Sequence, residues 1–137
     1  NLDVFKIYLL DVGLLMAMTG MDAQVIIDGN RIFTEFKGAL TEQYVLQQLK
    51  TIKWLNICYW TAERGTAEVD FVIDSGSNVI PAEVKAEVNL HATSLKVYRE
   101  KFQPKLSIRT SMSGYKKENW LLNLPLWAVG AMVETLN

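Results

Sequence analysis

Two neighbouring segments limit the fold of this chain most: residues 67–74 (AEVDFVID) and 80–86 (IPAEVKA). Both have the β-branched and alternating pattern of strands, and the turn-forming residues 74–78 (DSGSN) separate them at hairpin distance. Both nevertheless carry charged residues. Because buried charges are costly unless they are paired or bind a metal, the charges need an explanation in terms of a site or of solvent exposure.

Residues two apart in a strand share a face. Glu68 and Asp70 are therefore predicted to point one way, while the apolar residues of the same strand point the other way into a core. These apolar residues are Val69, Phe71 and Ile73. In the following strand Glu83 and Lys85 share a face. If the two strands pair, both charged faces lie on one side of the sheet.

A helix over residues 34–52 brings a further acid toward this sheet. Thr34 is predicted to cap the helix. Spacings of three and four residues then place Glu42 on the apolar face. The other members of that face are Ala39, Val45, Leu46 and Leu49. Glu42 is therefore expected to point toward the sheet rather than into water.

The remaining segments predict an α/β fold with a mixed sheet. Strands are expected over residues 56–60, 106–110 and 120–124, and helices over 93–102 and 126–136, with a polar loop over 111–117. Helical spacing also covers part of residues 4–18. The core order from Thr34 is helix, three strands, helix, strand. We expect one domain over 34–137, preceded by an N-terminal helical extension or linker over 1–33.

Charge is unevenly distributed in the 137-residue chain, whose net charge of −1 excludes a globally basic protein. Residues 96–117 contain seven cations and Glu100 as the one acid. The cations are Lys96, Arg99, Lys101, Lys105, Arg109, Lys116 and Lys117. They form either an ordinary solvated surface or a patch that contacts the phosphates of a nucleic acid.

Targeting signals are not apparent. The single cysteine, Cys58, lies in an apolar run and has no internal disulfide partner, which fits a reducing cytoplasm. The apolar runs 9–18 and 124–133 are too short to span a bilayer. We therefore expect a cytoplasmic protein without a membrane segment. The chain begins with Asn, which indicates a piece of a longer protein.

The predicted site has the chemistry of metal-assisted phosphodiester hydrolysis. Asp70 and Glu83, with Glu42 as a third group, supply hard oxygen ligands for Mg²⁺ or Mn²⁺. Lys85 can hold an attacking water or stabilise charge on a phosphate. Glu68 is given a supporting role, paired with Arg64 across the turn. The alternatives are an exposed salt bridge between Glu83 and Lys85, a solvent-facing Asp70, and a Glu42 that only pairs with Lys85.

These residues resemble the D…(D/E)xK signature of the PD-(D/E)XK nucleases, which have a restriction-endonuclease-like αβββαβ core. Asp70 matches the first acid, and Glu83-Val84-Lys85 matches the second part of the signature. Glu42 is similar to the additional helix acid of Holliday-junction-resolvase-like members. Val69 departs from the pattern, because the family name places a Pro there. The resemblance implies a Mg²⁺-dependent nuclease with Glu42, Asp70, Glu83 and Lys85 as catalytic residues.

A second resemblance covers nearly the whole chain. The segments are KIYLLDVGLL, KGALTEQYVLQQL, YWTAERGTAEVDFVID, IPAEVKA and LPLWAVGAM. They look like the uncharacterised C-terminal domain that follows the ATPase module in a family of prokaryotic AAA-type ATPases. The chain has no GxxxxGK[ST] loop, so ATP is not expected to bind to this fragment.

Two functions therefore remain open. One is a metal-dependent nuclease domain that acts on DNA. The other is a catalytically inactive module of the same fold that recognises nucleic acid or protein and helps to assemble the ATPase. In either case the expected partner is the N-terminal ATPase module, and the apolar ends of the chain could contact that module or another copy of the domain.

Overall fold

The computed structural model describes residues 5–20, 31–87 and 91–134. The helices are α1 (Val12–Met18), α2 (Arg31–Lys50), α3 (Thr93–Phe102) and α4 (Val129–Glu134). The strands are β1 (Asn56–Thr61), β2 (Glu68–Asp74), β3 (Val79–Val84), β4 (Ser107–Ser111), β5 (Lys116–Lys117) and β6 (Leu121–Pro125). Short 3₁₀ turns cover Glu63–Gly65 and Leu126–Ala128.

The strands form one mixed sheet in the order β1-β2-β3-β4-β6-β5. Strands β1, β2 and β3 are antiparallel neighbours, β4 is parallel to β3 and β6 is parallel to β4. The α/β class and the mixed sheet are therefore confirmed. From α2 onward the elements also follow the predicted order of a helix, three strands, a helix and a strand.

Apolar side chains form two clusters on the two faces of the sheet. Alternation along the strands identifies the faces: Phe71 and Ile73 belong to the first cluster, and Val72 between them contacts the second. The first cluster packs α2 and α4 on one face, and the second packs α3 on the other. Each face of the sheet is thus covered by helices, as expected for an α/β domain.

A β-bulge interrupts β2 at the predicted site. Cys58 pairs with Val72 and Trp60 pairs with Val69, so Asp70 and Phe71 together oppose a single residue of β1. The prediction that Val69 shares a face with Phe71 and Ile73 is therefore wrong, because the extra residue breaks the two-residue alternation. Val69 is buried in the second cluster instead.

Helix α2 is longer than predicted. It already includes Arg31, so Thr34 lies inside the helix and is not its N-cap. Nothing between Arg31 and Thr34 disfavours helix, and a cap-forming residue type therefore does not mark the true start. The helix also runs across the expected domain boundary at residues 33/34. Its buried positions Val45 and Leu49 contribute to the first cluster, as predicted, whereas Ala39 is exposed.

Within residues 5–20, helix is confined to α1. Asp11 caps α1 by accepting hydrogen bonds from the N–H groups of Gly13 (2.7 Å) and Leu14 (3.2 Å). Residues 5–11, which we call the strap, lead into α1 and contain no helical residue, and the carbonyl of Asp11 at their end accepts a hydrogen bond from the N–H of Leu15 (3.2 Å). The helical spacing predicted for part of residues 4–18 is therefore confirmed over Val12–Met18 and does not include the strap. The predicted loop over 111–117 contains the two-residue strand β5, which pairs with β6.

Candidate functional site

Three carboxylates converge on one ammonium group. We call Glu42 of α2 with Glu68 and Asp70 of β2 the acid cluster. Lys6 of the strap reaches all three: its Nζ lies 3.5 Å from Glu42 Oε2 and 3.8 Å from Asp70 Oδ1, and it forms an ion pair with Glu68. The bulge in β2 positions Asp70 beside α2, and the sequence pattern alone did not identify Lys6 as a member of the site.

Two glutamines of α2 hold the strap that carries Lys6. Gln43 Nε2 donates to the carbonyl of Leu9 (2.6 Å), and the N–H of Leu9 donates to Gln43 Oε1 (2.9 Å). One helical turn later, Gln47 accepts from the N–H of Val12 (3.1 Å) and donates to Asp11 Oδ2 (2.9 Å). The two amides thus satisfy three backbone groups: Gln43 pairs with both groups of Leu9 as a neighbouring strand would, and Gln47 accepts from the first N–H of α1. Their spacing of four residues on one helix face is the signal that could have revealed this role.

Tyr8 joins the strap to the acid cluster as well. Its hydroxyl donates to Glu42 Oε2 (3.1 Å), and its ring lies 6.0 Å from the ring of Phe71, centroid to centroid. Burial and the charge of Glu42 raise the pKa of Tyr8 above its ordinary value, so the phenol remains a donor at neutral pH.

The charges of the cluster oppose one another. Burial, followed by the charges of Glu42 and Glu83, raises the pKa of Asp70 from 3.8 to about 6, against the effects of the Val84 N–H and of Lys6. The Val84 N–H donates to Asp70 Oδ2 at 2.8 Å. Burial would lower the pKa of Lys6, but the hydrogen bond to Glu68 and the charges of Glu42 and Asp70 outweigh it and raise this pKa. Lys6 is therefore the cation that offsets the mutual repulsion of the acids.

Glu83 and Lys85 lie on the adjacent strand and just beyond its end. Lys85 Nζ is 2.6 Å from Glu83 Oε1, and the Lys85 N–H donates to the Thr110 carbonyl (2.8 Å), which extends the pairing of β3 with β4. Since β3 lies between β2 and β4 and Glu83 is only 5% exposed, an exposed edge-strand salt bridge is excluded. Glu83 Oε2 is buried without a hydrogen-bond partner in the described structure.

The residues fit a divalent cation in chemistry but not yet in position. Carboxylate oxygens suit Mg²⁺ and Mn²⁺, and the unpartnered Oε2 of Glu83 has a free acceptor site. However, within residues 5–20, 31–87 and 91–134 no group of three His, Cys, Asp or Glu side chains is placed to hold a metal ion. Glu42 and Asp70 both contact Lys6, so the ammonium group lies among the acids.

Arg64 was predicted to pair with Glu68. The side chain of Arg64 lies outside the described part of the structure.

The cations of residues 96–117 do not form one continuous surface. On α3, Arg99 stacks on Trp120 (guanidinium carbon to ring centroid 4.9 Å) and Lys101 on Phe102 (5.5 Å). Lys96, Arg99 and Trp120 line an open cavity of about 500 Å³. Lys105 lines a neighbouring cavity.

The other cations do not extend this surface. Lys116 pairs with Glu118 (3.0 Å), and Lys117 is next to it on β5. Arg109 is 2% exposed inside the sheet and does not lie on the predicted surface. Its position in the central strand β4, in register with Glu83 of β3 and Asn123 of β6, explains the burial.

The sequence model of one family matches residues 37–128, and its description is "Domain of unknown function (DUF4143)". Because the match covers more than half of the chain, the chain belongs to this family, whose domain is commonly found at the C-terminus of AAA ATPases. No curated protein sequence matches the chain. None of the described helices is both long enough and apolar enough to cross a membrane.

Proposed function

Starting from membership in a family without an assigned function, we propose that this domain is a metal-dependent phosphodiesterase of the PD-(D/E)XK type that cleaves DNA. The buried, unpartnered Oε2 of Glu83 is the observation that carries this proposal. A buried carboxylate oxygen without a donor is costly and is retained where a cation or substrate completes it. The order of elements around Asp70 and Glu83 supports a restriction-endonuclease-like core.

Each residue of the set has a separate role in the proposal. Asp70 and Glu83 hold Mg²⁺ or Mn²⁺, with Glu42 as a third ligand. The bound ion supplies charge neutralisation and a polarised water. Lys85, whose side chain is about one-third exposed (34%), positions that water and stabilises negative charge on the phosphate. Glu68 and the bulge keep Asp70 in place.

The surface of α3 supplies a DNA contact in this proposal. Lys96 and Arg99 flank an open cavity beside Trp120, and Lys105 lies next to it. Cations in such a place favour a phosphate backbone without reading its sequence. An ATPase module on the same polypeptide, in the cytoplasm, would deliver the DNA, and self-association through the domain would follow the assembly of the ATPase.

A catalytically inactive module is the second candidate, and one observation favours it. Lys6 contacts Glu42, Glu68 and Asp70, so the described structure already places one cation among these acids. In this reading the acid cluster fixes the strap to the domain, and the domain recognises nucleic acid or protein for the ATPase.

Mn²⁺ binding to the 137-residue chain separates the two candidates. The variant Glu83→Gln keeps the shape of the side chain and removes its charge. If the nuclease proposal holds, the unmodified chain binds Mn²⁺ in calorimetry and Glu83→Gln weakens binding at least tenfold, because a charged ligand is lost. The control Glu118→Gln removes a carboxylate that pairs with Lys116 on β5 and leaves binding unchanged.

Cleavage assays on linear and branched DNA with Mg²⁺ then follow the same variants. Loss of cleavage in Glu83→Gln and Lys85→Met, with Glu118→Gln active, supports the enzyme. If Glu83→Gln and the unmodified chain bind Mn²⁺ with the same affinity, or if Mn²⁺ binds neither to them nor to a variant without the Lys6 charge, the nuclease proposal fails and the inactive module is preferred.

A further inference from the structure

We propose that the strap is an autoinhibitory element, in which the Lys6 ammonium occupies the cation position of the acid cluster and must leave before a divalent ion can bind. This inference rests on the proposed function, because it concerns the regulation of the same site. It adds a residue and a movement that the nuclease motif does not contain.

The positions of the charges make the two cations mutually exclusive. Lys6 Nζ lies within 4 Å of carboxylate oxygens from Glu42 and Asp70 and also contacts Glu68. A divalent ion placed between Glu42 and Asp70 would therefore lie against a positive charge in a partly buried environment, where Coulomb repulsion is only weakly screened. One of the two cations has to move away.

The spacing of the acids supports the same conclusion. Oxygen atoms around an ammonium group stand about 3 Å from its nitrogen, whereas Mg²⁺ needs oxygen ligands at about 2.0–2.1 Å. Glu42 and Asp70 stand 3.5 Å and 3.8 Å from Lys6 Nζ. Both distances are longer than a bond from oxygen to Mg²⁺, and no trio of ligands surrounds a common point in the described structure. Without Lys6, the mutual repulsion of the carboxylates is no longer offset, and a divalent cation bound between them would lower it.

The contacts of the strap are of a kind that can open without unfolding the domain. Four hydrogen bonds link Gln43 and Gln47 to this region: two join Gln43 to the backbone of Leu9, and two join Gln47 to the Asp11 side chain and to the N–H of Val12. Water can replace each of them at small net cost. Three large apolar side chains of the strap, Phe5, Ile7 and Leu10, are mostly exposed (69%, 78% and 87%). A segment with few buried apolar groups belongs to the part of a protein that opens locally.

The test compares Mn²⁺ affinity in three versions of the chain. Lys6→Met removes the charge and keeps an unbranched apolar stem, and it is expected to bind Mn²⁺ at least tenfold more tightly than the unmodified chain. Lys116→Met is the matched control, because Lys116 also pairs with a carboxylate but lies on β5. It is expected to have unchanged affinity.

A second variant tests the role of the strap even if Lys6→Met does not fold. Gln43→Ala combined with Gln47→Ala leaves every charge in place and removes the hydrogen bonds that hold the strap. It should also bind Mn²⁺ more tightly. Hydrogen exchange gives an independent measurement: added Mn²⁺ should speed exchange of the Leu9 and Val12 amides and leave the amides of β4 unchanged.

The outcomes separate failure of this inference from failure of the proposed function. If the unmodified chain, Lys6→Met and the double glutamine variant bind Mn²⁺ equally, with the Leu9 amide still protected, the nuclease proposal stands and the autoinhibitory strap is overturned. If none of them binds Mn²⁺, both proposals are overturned. Tighter binding in both strap variants, with Lys116→Met unchanged, supports the strap.

Discussion

Two polar clusters on one sheet, one buried and one partly exposed, differ in how completely their groups are satisfied. The first surrounds Asn123 of β6, which is 1% exposed. Its Oδ1 accepts from Arg109 Nε (3.0 Å) and Ser111 Oγ (2.9 Å). Its Nδ2 donates to the carbonyls of Ser113 (3.3 Å) and Gly114 (2.8 Å). All the hydrogen-bonding positions of the amide are therefore used.

The second is the acid cluster, whose carboxylates compete for one cation, together with Glu83 on the adjacent strand. Glu42, Glu68 and Asp70 share a single ammonium group, the pKa of Asp70 is raised to about 6 mainly by burial, and Glu83 Oε2 has no partner in the described structure. The two clusters therefore differ in how far their polar groups are satisfied. A satisfied network fixes local structure, whereas perturbed and unpartnered groups are what makes the second cluster the candidate functional site.

The first prediction, with the largest expected effect, is that Asn123→Ala destabilises the fold because it removes the satisfied network. The variant leaves the buried Arg109 and Ser111 without this shared acceptor, and it leaves two carbonyls of the more exposed loop without their donor. Loss of such a network should lower the free energy of unfolding by about 3 kcal/mol. Urea denaturation measures this value, and Mn²⁺ affinity should not change.

A matched asparagine provides the control. Asn78 lies in the β2–β3 turn, and its amide donates to Ser77 Oγ (3.1 Å). Asn78→Ala should change the free energy of unfolding by less than about 0.5 kcal/mol, as is usual for surface positions. If Asn123→Ala costs no more than Asn78→Ala, the network around Asn123 does not stabilise the fold and the comparison fails.

The second prediction concerns the pH dependence that Asp70 gives to stability. Its pKa in the folded chain is about 6, above the ordinary 3.8, so the folded state holds this proton more tightly than the unfolded state. The contribution of Asp70 to stability is therefore greatest below pH 4 and is lost as the pH rises from about 4 to about 6. The difference in pKa corresponds to about 3 kcal/mol at most.

Asp70→Asn should remove this loss. The amide oxygen can still accept from the Val84 N–H, so the variant should gain stability relative to the unmodified chain as the pH rises from 4 to 6. The control Asp74→Asn alters a carboxylate in the β2–β3 turn, where it accepts from Gly76 N–H. Denaturant unfolding at several pH values gives the slopes. If stability changes with pH by the same slope in Asp70→Asn and in the unmodified chain, the raised pKa of Asp70 is contradicted.

The fold was largely accessible from the sequence because its signals are local. The charged hairpin pattern, the turn at Asp74 and the helix beginning at Thr93 gave the right elements in the right order. The alternation of Val69 with Phe71 failed, since a bulge adds one residue without any marker in the sequence. The N-cap at Thr34 failed because the preceding residues also accept a helix.

The acid site was accessible only in part. Strand periodicity and the helix face brought forward Glu42, Asp70 and Glu83, and the structure brings the first two together through Lys6. The role of Lys6 depends on a contact between residues 36 positions apart, from Lys6 to Glu42. An extended strap held by side chains has no periodicity, so pattern analysis could not place it. The burial of Arg109 depends in the same way on the position of β4 within the sheet.

The last prediction, with the smallest expected effect, concerns the hydrogen bond between Tyr8 and the acid cluster. Tyr8→Phe keeps the ring against Phe71 and removes the hydrogen bond from the hydroxyl to Glu42. One such bond contributes about 1 kcal/mol, so urea denaturation at neutral pH should show a loss of about that size. Tyr115→Phe, at a largely exposed position, should change stability by less than about 0.5 kcal/mol. An equal effect of the two variants would mean that Tyr8 does not hold the strap to the acid cluster in solution, and that Lys6 alone anchors it there.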